Sequence, residues 1–289
     1  MGKASRRKGA DKKAARAARV PFVARPFADL TGETELVAMR EILPAATVPV
    51  RFRGPDGEQS ATIATVLPMA WAALHRDDGA LFVATQVGGG SGDLSRDLAA
   101  ALLAAAAAEP GDSIANTPPV TADTPRLQDI LVDGPFEPEL HDGFDFWIAA
   151  DEMDEATSAA LQQANEAVAP TVALPSADTA YWCRIGERTY VRWVLPHDED
   201  AATSALARLH AAGDSALGDG RLLGAFRTSG LLVPVWEVDA TAEPLSYDAP
   251  LAELRTRFEA ALASVADRPL DDAERRARAG LVSRQITIR

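Results

Sequence analysis

The sequence predicts an α+β (mixed α/β) fold in which a basic tail precedes two similar halves, each with a helix, a hairpin, a strand and a second helix. Stretches with helical spacing of apolar residues alternate with short strand-like stretches, and most connections between them are short. Short connections favour mainly antiparallel or mixed sheets, because a parallel pair needs a crossover of a dozen or more residues.

The tail is predicted from its charge and from its lack of large apolar side chains. Residues 1–26 contain nine of the 29 Lys and Arg residues and one of the 42 Asp and Glu residues, so they carry +8 and the rest of the chain −21. Residues 2–18 hold no large apolar side chain and cannot offset the entropy of ordering, so we expect a disordered basic tail at 1–26. The apolar residues expected to attach it to the body are Val20, Phe22, Val23 and Phe27.

The first half is predicted over residues 27–108. A helix is expected at 33–42, and the turn Gly54-Pro55-Asp56-Gly57 favours a hairpin between two strands. A third strand and an alanine-rich helix complete this half. The predicted strands are 48–53, 60–67 and 80–87, and the second helix is 94–108.

The second half is predicted over residues 126–289, after a linker at 109–125 that is rich in proline and threonine. The predicted helices are 151–167, 201–211 and 250–266, and the predicted strands are 180–185, 189–195, 222–228 and 231–238. Residues 64–68 end their strand much as residues 191–196 end theirs, which suggests duplication of one unit. Residues 96–102 likewise resemble residues 258–262. Chance similarity between alanine-rich helices is the alternative.

Composition excludes several classes of protein. With Cys183 as the single cysteine, an internal disulfide and a cysteine-rich zinc site are excluded. No apolar run reaches 18 residues, and no apolar signal-peptide core follows the N-terminal basic residues. We therefore expect a cytoplasmic protein with no membrane contact, no cofactor and no structural metal.

Six stretches carry a resemblance to a known family. They are 1–8, 37–46, 66–71, 95–102, 181–184 and 230–236. Together they resemble a family of uncharacterised actinobacterial proteins, a domain of unknown function, some of whose members are labelled as related to the preprotein translocase. The motor of that translocase needs a G-x-x-x-x-G-K-[ST] loop and several zinc-binding cysteines, which this sequence lacks, so motor activity is not expected.

Three local motifs could carry chemistry. The glycine run 88–92 lies between a strand and a helix, where phosphate could bind, but Asp93 replaces the third glycine of G-x-G-x-x-G. A turn with an acidic helix start is the alternative. The run His197-Asp198-Glu199-Asp200 offers metal ligands, or it caps a helix. Cys183 lies on the apolar side of its predicted strand, so a buried structural thiol is expected.

Aromatic and basic residues on neighbouring predicted strands give the hypothesis of an anion site. Arg184 and Arg192 are expected to face the same side across their hairpin, and Arg227 joins them if its strand pairs nearby. His197 or Asp198 would carry a proton. Such a set could bind a ligand carboxylate or phosphate. The alternative is that these arginines pair with the acidic residues of the body.

The tail gives the clearest indication of function. Its cations neutralise phosphates and release counterions, so the tail is predicted to contact RNA, the ribosome or another polyanion. We predict a non-enzymatic adaptor or accessory protein that also binds a protein partner; the alternatives are a small-ligand-binding protein or enzyme that uses the arginine cluster, and a tail that lies on its own acidic body. The predicted nucleic-acid-binding residues are Lys3, Arg6, Arg7, Lys8, Lys12, Lys13, Arg16 and Arg19.

Overall fold

The helices of the chain confirm most of the helical predictions. A computed structural model describes residues 20–88, 90–149 and 155–283. The predicted tail residues 1–19, including all eight predicted nucleic-acid-binding residues, lie outside these ranges. Within them, seven α-helices are present: α1 (Glu33–Glu41), α2 (Leu94–Ala106), α3 (Leu127–Ile130), α4 (Glu155–Asn165), α5 (Glu199–Ala212), α6 (Asp248–Asp267) and α7 (Asp272–Ser283).

Eleven strands in the described residues form two sheets, and the α+β prediction is confirmed. The strands are β1 (Ala46–Gly54), β2 (Gly57–Ala64), β3 (Ala73–His75), β4 (Leu81–Ala84), β5 (Ser113–Ile114), β6 (Glu139–Leu140), β7 (Thr171–Ala173), β8 (Ala180–Ile185), β9 (Arg188–Trp193), β10 (Arg221–Thr228) and β11 (Leu231–Val238).

The first sheet is mixed and has the strand order β5-β3-β4-β2-β1-β6. β1 and β2 form the predicted hairpin, with Gly54 opposite Gly57. Gly57 has φ +109°, a conformation that favours glycine in this tight turn. β2 and β4 are parallel, while β3 is antiparallel to both β4 and β5. β3, β5 and β6 were not predicted, since they are only two or three residues long.

The second sheet has the order β10-β11-β9-β8-β7, and all of its pairings are antiparallel. Both of its long hairpins have two-residue turns. Ser229 and Gly230 join β10 to β11 with φ of +49° and +77°, and such a pair of positive φ values matches the right-handed twist of the strands. Gly186 and Glu187 join β8 to β9, with Ile185 opposite Arg188.

One face of the second sheet carries a large apolar core. Trp182, Trp193 and Trp236 are buried there, and α5 and α6 cover them. Phe258 of α6 packs edge-on against Trp193, with the ring centroids 5.7 Å apart. This core holds the helices in place because each buries an apolar stripe against it.

Packing divides the chain into two compact units. Unit 1 contains the described residues within Met1–Thr31, Thr47–Pro138 and Phe146–Met153; unit 2 contains those within Gly32–Ala46, Glu139–Asp145 and Asp154–Arg289. The segment 109–125, expected to be a linker, lies in unit 1 and provides β5. Helix α1 belongs to unit 2. None of the described helices is both long and apolar enough to cross a membrane.

Candidate functional site

The N-terminal segment enters the described structure at Val20 and is attached to unit 1 near the start of α2. Val20 and Phe27 are buried, and the Val23 N–H donates to the Gly92 carbonyl at 2.9 Å. Phe22 is 81% exposed and does not dock as expected. A Cβ on Gly92 would lie 3.5 Å from the Phe22 Cα, an ordinary van der Waals distance, so it is the φ of +106° that favours glycine at this position.

Side chains around α3 hold the same segment. Arg126 Nη2 and Gln128 Nε2 each donate to the Pro26 carbonyl at 2.9 Å, and Gln128 Nε2 also donates to the Ala28 carbonyl at 3.0 Å. Gln128 is itself fixed, because its Oε1 accepts from Ser95 Oγ of α2 at 2.6 Å. Residues 20–28 are therefore tied to α2 and α3 by main-chain and side-chain hydrogen bonds.

The glycine-rich loop before α2 binds carboxylates of its own chain. Asp93, 1% exposed, caps α2 by accepting from the Ser95 N–H at 3.2 Å. Both oxygens of Asp97 accept from the Ser91 N–H, at 3.1 and 3.2 Å. Gly90 has φ +146°, and a Cβ there would lie 2.7 Å from Asp97 Oδ2. A phosphate at this helix start would have to displace Asp97, so the acidic helix start describes the loop better than a phosphate site.

Asp93 also links α2 to the N-terminal attachment. Its Oδ2 lies 3.3 Å from Arg96 Nε and 3.1 Å from Arg126 Nε. A groove of about 420 Å³ lies beside this cluster. Its lining includes Val20, Gly88, Ser91 and residues 116–120. Val20, the first described residue, therefore lies in the wall of an open groove.

The register of the second sheet separates Arg184 from Arg192. Arg184 lies opposite Thr189, whereas Arg192 lies opposite Tyr181. Because successive residues of a strand point to opposite faces, and directly opposed residues share a face, the two arginines lie on opposite faces of the sheet. The expectation that they face the same side does not hold.

Arg192 is buried beside Cys183. It is 7% exposed, and its Nη2 donates to the Ile42 carbonyl at 2.7 Å. Cys183 is fully buried, as expected for a structural thiol. Burial raises the pKa of this thiol, and the charge and hydrogen bonding of Arg192 oppose that rise only in part. The thiol is thus kept protonated rather than activated as a nucleophile.

Arg184 and Arg227 share the other face but lie far apart. Arg184 stacks over Trp182 at 5.6 Å and donates to the Ala240 carbonyl at 3.0 Å. Arg227 pairs with Glu199 at 2.8 Å. Through the strand pairings, Arg184 is level with Val238 of β11, and Arg227 is level with Leu232. These two positions are six residues apart on β11, which is roughly 20 Å. The three arginines therefore share no site, and the pairing of Arg227 follows the alternative of ion pairs with the acidic body.

The run from His197 to Asp200 forms the start of α5. Asp198 caps the helix by accepting from the N–H groups of Asp200 and Ala201, both at 3.0 Å. His197 Nε2 lies 3.4 Å from Glu259 Oε1, and the Asp200 carboxylate pairs with Arg278 at 2.8 Å. These side chains point to different partners, and among the described residues no group of three or more His, Cys, Asp or Glu side chains could hold a metal ion.

Comparison with known proteins identifies the family. A family model described as a family of unknown function, DUF5926, matches residues 26–289. The chain belongs to this family. No curated protein and no solved structure matches the chain. The resemblance to a domain of unknown function is therefore confirmed, and the match begins at Pro26, within the attachment segment of this DUF5926 protein.

A buried charged network joins three helical elements of this DUF5926 chain. Arg208 of α5 is 8% exposed and Glu274 of α7 is 4% exposed, with Arg208 Nε donating to Glu274 Oε1 at 3.0 Å. Arg208 also donates to Ser264 Oγ of α6 and to the Arg268 carbonyl. Arg268 Nη2 donates to Glu274 Oε1 at 2.5 Å, and the Asp271 N–H donates to Glu274 Oε2 at 3.0 Å.

The pKa of Glu274 reflects these contacts. Burial alone would raise it, but hydrogen bonds from Arg268, the Asp271 N–H and Arg208 outweigh burial and lower the pKa to about 2. Glu274 therefore stays ionised and binds α7 to α5 and to the end of α6. Sequence reasoning missed this network, because Arg208 lies among alanines and leucines and nothing in its local pattern indicates a buried partner 66 residues away.

Proposed function

We propose that this protein is a non-enzymatic cytoplasmic adaptor whose basic N-terminal segment contacts RNA, the ribosome or another polyanion. The observation that carries the proposal is the separation of charge, +8 over residues 1–26 against −21 over the rest of the chain. Counterion release makes such a basic segment attractive to any chain of phosphates, whatever its sequence. The acidic body repels the same polyanion at separations within about a Debye length, so contact is confined to the tail.

The attachment of residues 20–28 supports a tethering role. The hydrogen bonds of Val23, Pro26 and Ala28 fix the segment that follows the basic residues in sequence. A polyanion held by residues 1–19 is thereby held to unit 1. All eight basic residues named for this contact precede the attached stretch, so binding them need not disturb it.

The first test compares the full chain with a chain that lacks residues 1–19. The deletion stops before Val20 because this residue is buried in the attachment. Co-sedimentation with ribosomes is expected to fall steeply with salt for the full chain and to be lost on deletion. If all eight basic residues contact single-stranded phosphates, a plot of log K against log salt should have a slope of about −6.

Three control variants make this test specific. A tail with residues 1–19 in shuffled order keeps its charge and should bind as well as the natural tail, since the attraction does not depend on sequence. A tail with its eight basic residues changed to Gln keeps its length and should not bind. Arg184→Gln with Arg227→Gln removes two arginines from the body and should change nothing. Unchanged sedimentation after the deletion would refute the proposal.

A further inference from the structure

Helix α7 is attached to unit 2 by few apolar contacts. Among its described side chains, Leu281 is the one buried apolar residue and Glu274 the one buried charged residue, while Ala277 packs half-buried against the core. Its neighbour α6 buries a full apolar stripe, Leu251, Leu254, Phe258 and Ala261. Hydrogen bonds and ion pairs therefore carry a larger share of the attachment of α7 than of α6.

The surface under α7 combines apolar and polar side chains and has a basic end. α7 packs on α5 and on β10. Leu281 lines a small cavity of about 50 Å³ between α7 and these elements. Glu274, seven positions before Leu281 in α7, forms an ion pair with Arg208 of α5. The other residues that line the cavity are Thr203, Leu206, Ala225, Phe226, Arg227 and Leu232. Removal of α7 would expose this strip between α5 and the edge strand β10.

Gly280 destabilises helix α7, although the space around this position does not require glycine. A Cβ added at Gly280 would meet no atom within 4 Å, so alanine would fit. Glycine inside a helix has a larger entropy to lose than alanine and favours the unfolded form of the helix. The sequence of α7 thus makes the helix easier to release than the space around it requires.

We propose that α7 is a displaceable occupant of a helix-binding surface, and that the surface also binds an amphipathic helix of a partner protein. The partner's pattern is read from α7 itself, with an acid facing Arg208, a small residue three positions later and a leucine seven positions later, as in Glu274, Ala277 and Leu281. Such a surface supplies the protein-binding half of the proposed adaptor. It does not require the tail to bind polyanions, so the two proposals can fail separately.

The first test measures amide hydrogen exchange in the full chain, comparing α7 with the central strand β11. Displacement requires α7 amides to exchange through local opening, with protection at least about 100-fold below that of β11. Gly280→Ala should raise α7 protection about fivefold. Glu274→Gln should lower it about 10- to 100-fold, and Arg276→Gln, on the exposed side of the same helix, should leave it unchanged. Equal protection of α7 and β11 would overturn the proposal.

The second test adds a labelled peptide of residues 270–283 to the full-length protein. The peptide should bind a Leu281→Asp chain, whose own α7 is released, more tightly than the natural chain, whose α7 competes. A peptide carrying both Glu274→Gln and Leu281→Asp should bind neither. Fluorescence of the buried Trp193 and Trp236 checks folding, and a Glu274→Gln chain serves if the Leu281 variant does not fold. Equal binding to both chains, or none, contradicts the proposal.

Discussion

At the scale of single residues, unit 2 contains two glutamates whose surroundings shift their pKa values in opposite directions. Glu274 is surrounded by donors, which lower its pKa to about 2. Glu35 of α1 has fewer hydrogen-bond donors around its carboxylate. Burial raises the pKa of Glu35, its own backbone and the Thr34 hydroxyl at 2.9 Å oppose the rise, and the charge of Asp178 adds to it. Ionisation of Glu35 therefore destabilises the folded chain, whereas ionisation of Glu274 stabilises it.

Glu35→Gln is expected to stabilise the protein at pH 7. The raised pKa means that the folded state gains from protonated Glu35 below pH 4.5 and loses that gain as pH rises through the folded pKa. Glutamine is neutral at every pH, so the variant keeps this stabilisation at pH 7. The thermal midpoint of the variant should exceed that of the natural chain at pH 7 and match it near pH 4.

The control for this prediction is Glu41→Gln, which removes one charge at the exposed end of the same helix. Its thermal midpoint should stay close to that of the natural chain at both pH values. A Glu35→Gln protein that is less stable than the natural chain at pH 7 would show that the carboxylate has a stabilising partner, and would contradict this account of its pKa.

At the scale of elements, the hairpins could be predicted because their signals are local. The turns at Gly54–Gly57 and Gly186-Glu187 carry residues that favour positive φ, and both hairpins form there. The same reasoning could have separated Arg184 from Arg192. A two-residue turn at 186–187 fixes Ile185 opposite Arg188, and counting outward places Tyr181, and not Arg184, on the face of Arg192.

Helix α7 could not be predicted, because its attachment depends on partners far away in sequence. Few of its residues are apolar, so its sequence has the pattern of an exposed segment. What holds it is Arg208 of α5 and the end of α6. The attachment of residues 20–28 was missed in part for the same reason, since its side-chain donors, Arg126 and Gln128, lie at the start of α3, about 100 residues further along the chain.

Asp93→Ala is expected to destabilise unit 1 by about 2 kcal/mol, because the start of α2 loses its cap and Arg96 and Arg126 lose their buried carboxylate. Urea unfolding of the full chain measures the loss. Asp93→Asn keeps an oxygen that can accept from the Ser95 N–H but removes the charge, so it should fall between the alanine variant and the natural chain. Equal stability of all three would show that Asp93 neither caps nor pairs.

At the scale of the whole molecule, the two units combine segments that are separated along the chain. Helix α1 precedes the first hairpin in sequence yet belongs to unit 2, so each unit draws on both ends of that hairpin's surroundings in sequence. The division into two consecutive halves stays a prediction. Such a division depends on long-range packing, which local periodicity does not encode. The strand orders of the two sheets also differ, and the duplication stays a prediction.

Removing residues 1–19 changes the net charge of the chain from −13 to −20, since eight basic residues and Asp11 are lost. If the tail neutralises its own acidic body, the shortened chain should melt at a lower temperature than the full chain at about 10 mM salt, because self-repulsion is then unscreened. The difference should vanish near 1 M salt. Identical melting at low salt would indicate that the basic residues do not interact with the body.

The fixed position of Val23 against Gly92 sets a limit on distance. Lys3, the most distant of the named basic residues, lies 20 positions before Val23, and 20 extended residues span at most about 70 Å. If the named basic residues bind a polyanion as proposed, the phosphates that they contact lie within about that distance of the first turn of α2. Chemical cross-links from a bound nucleic acid should map to unit 1 around this centre and become sparse with distance from it.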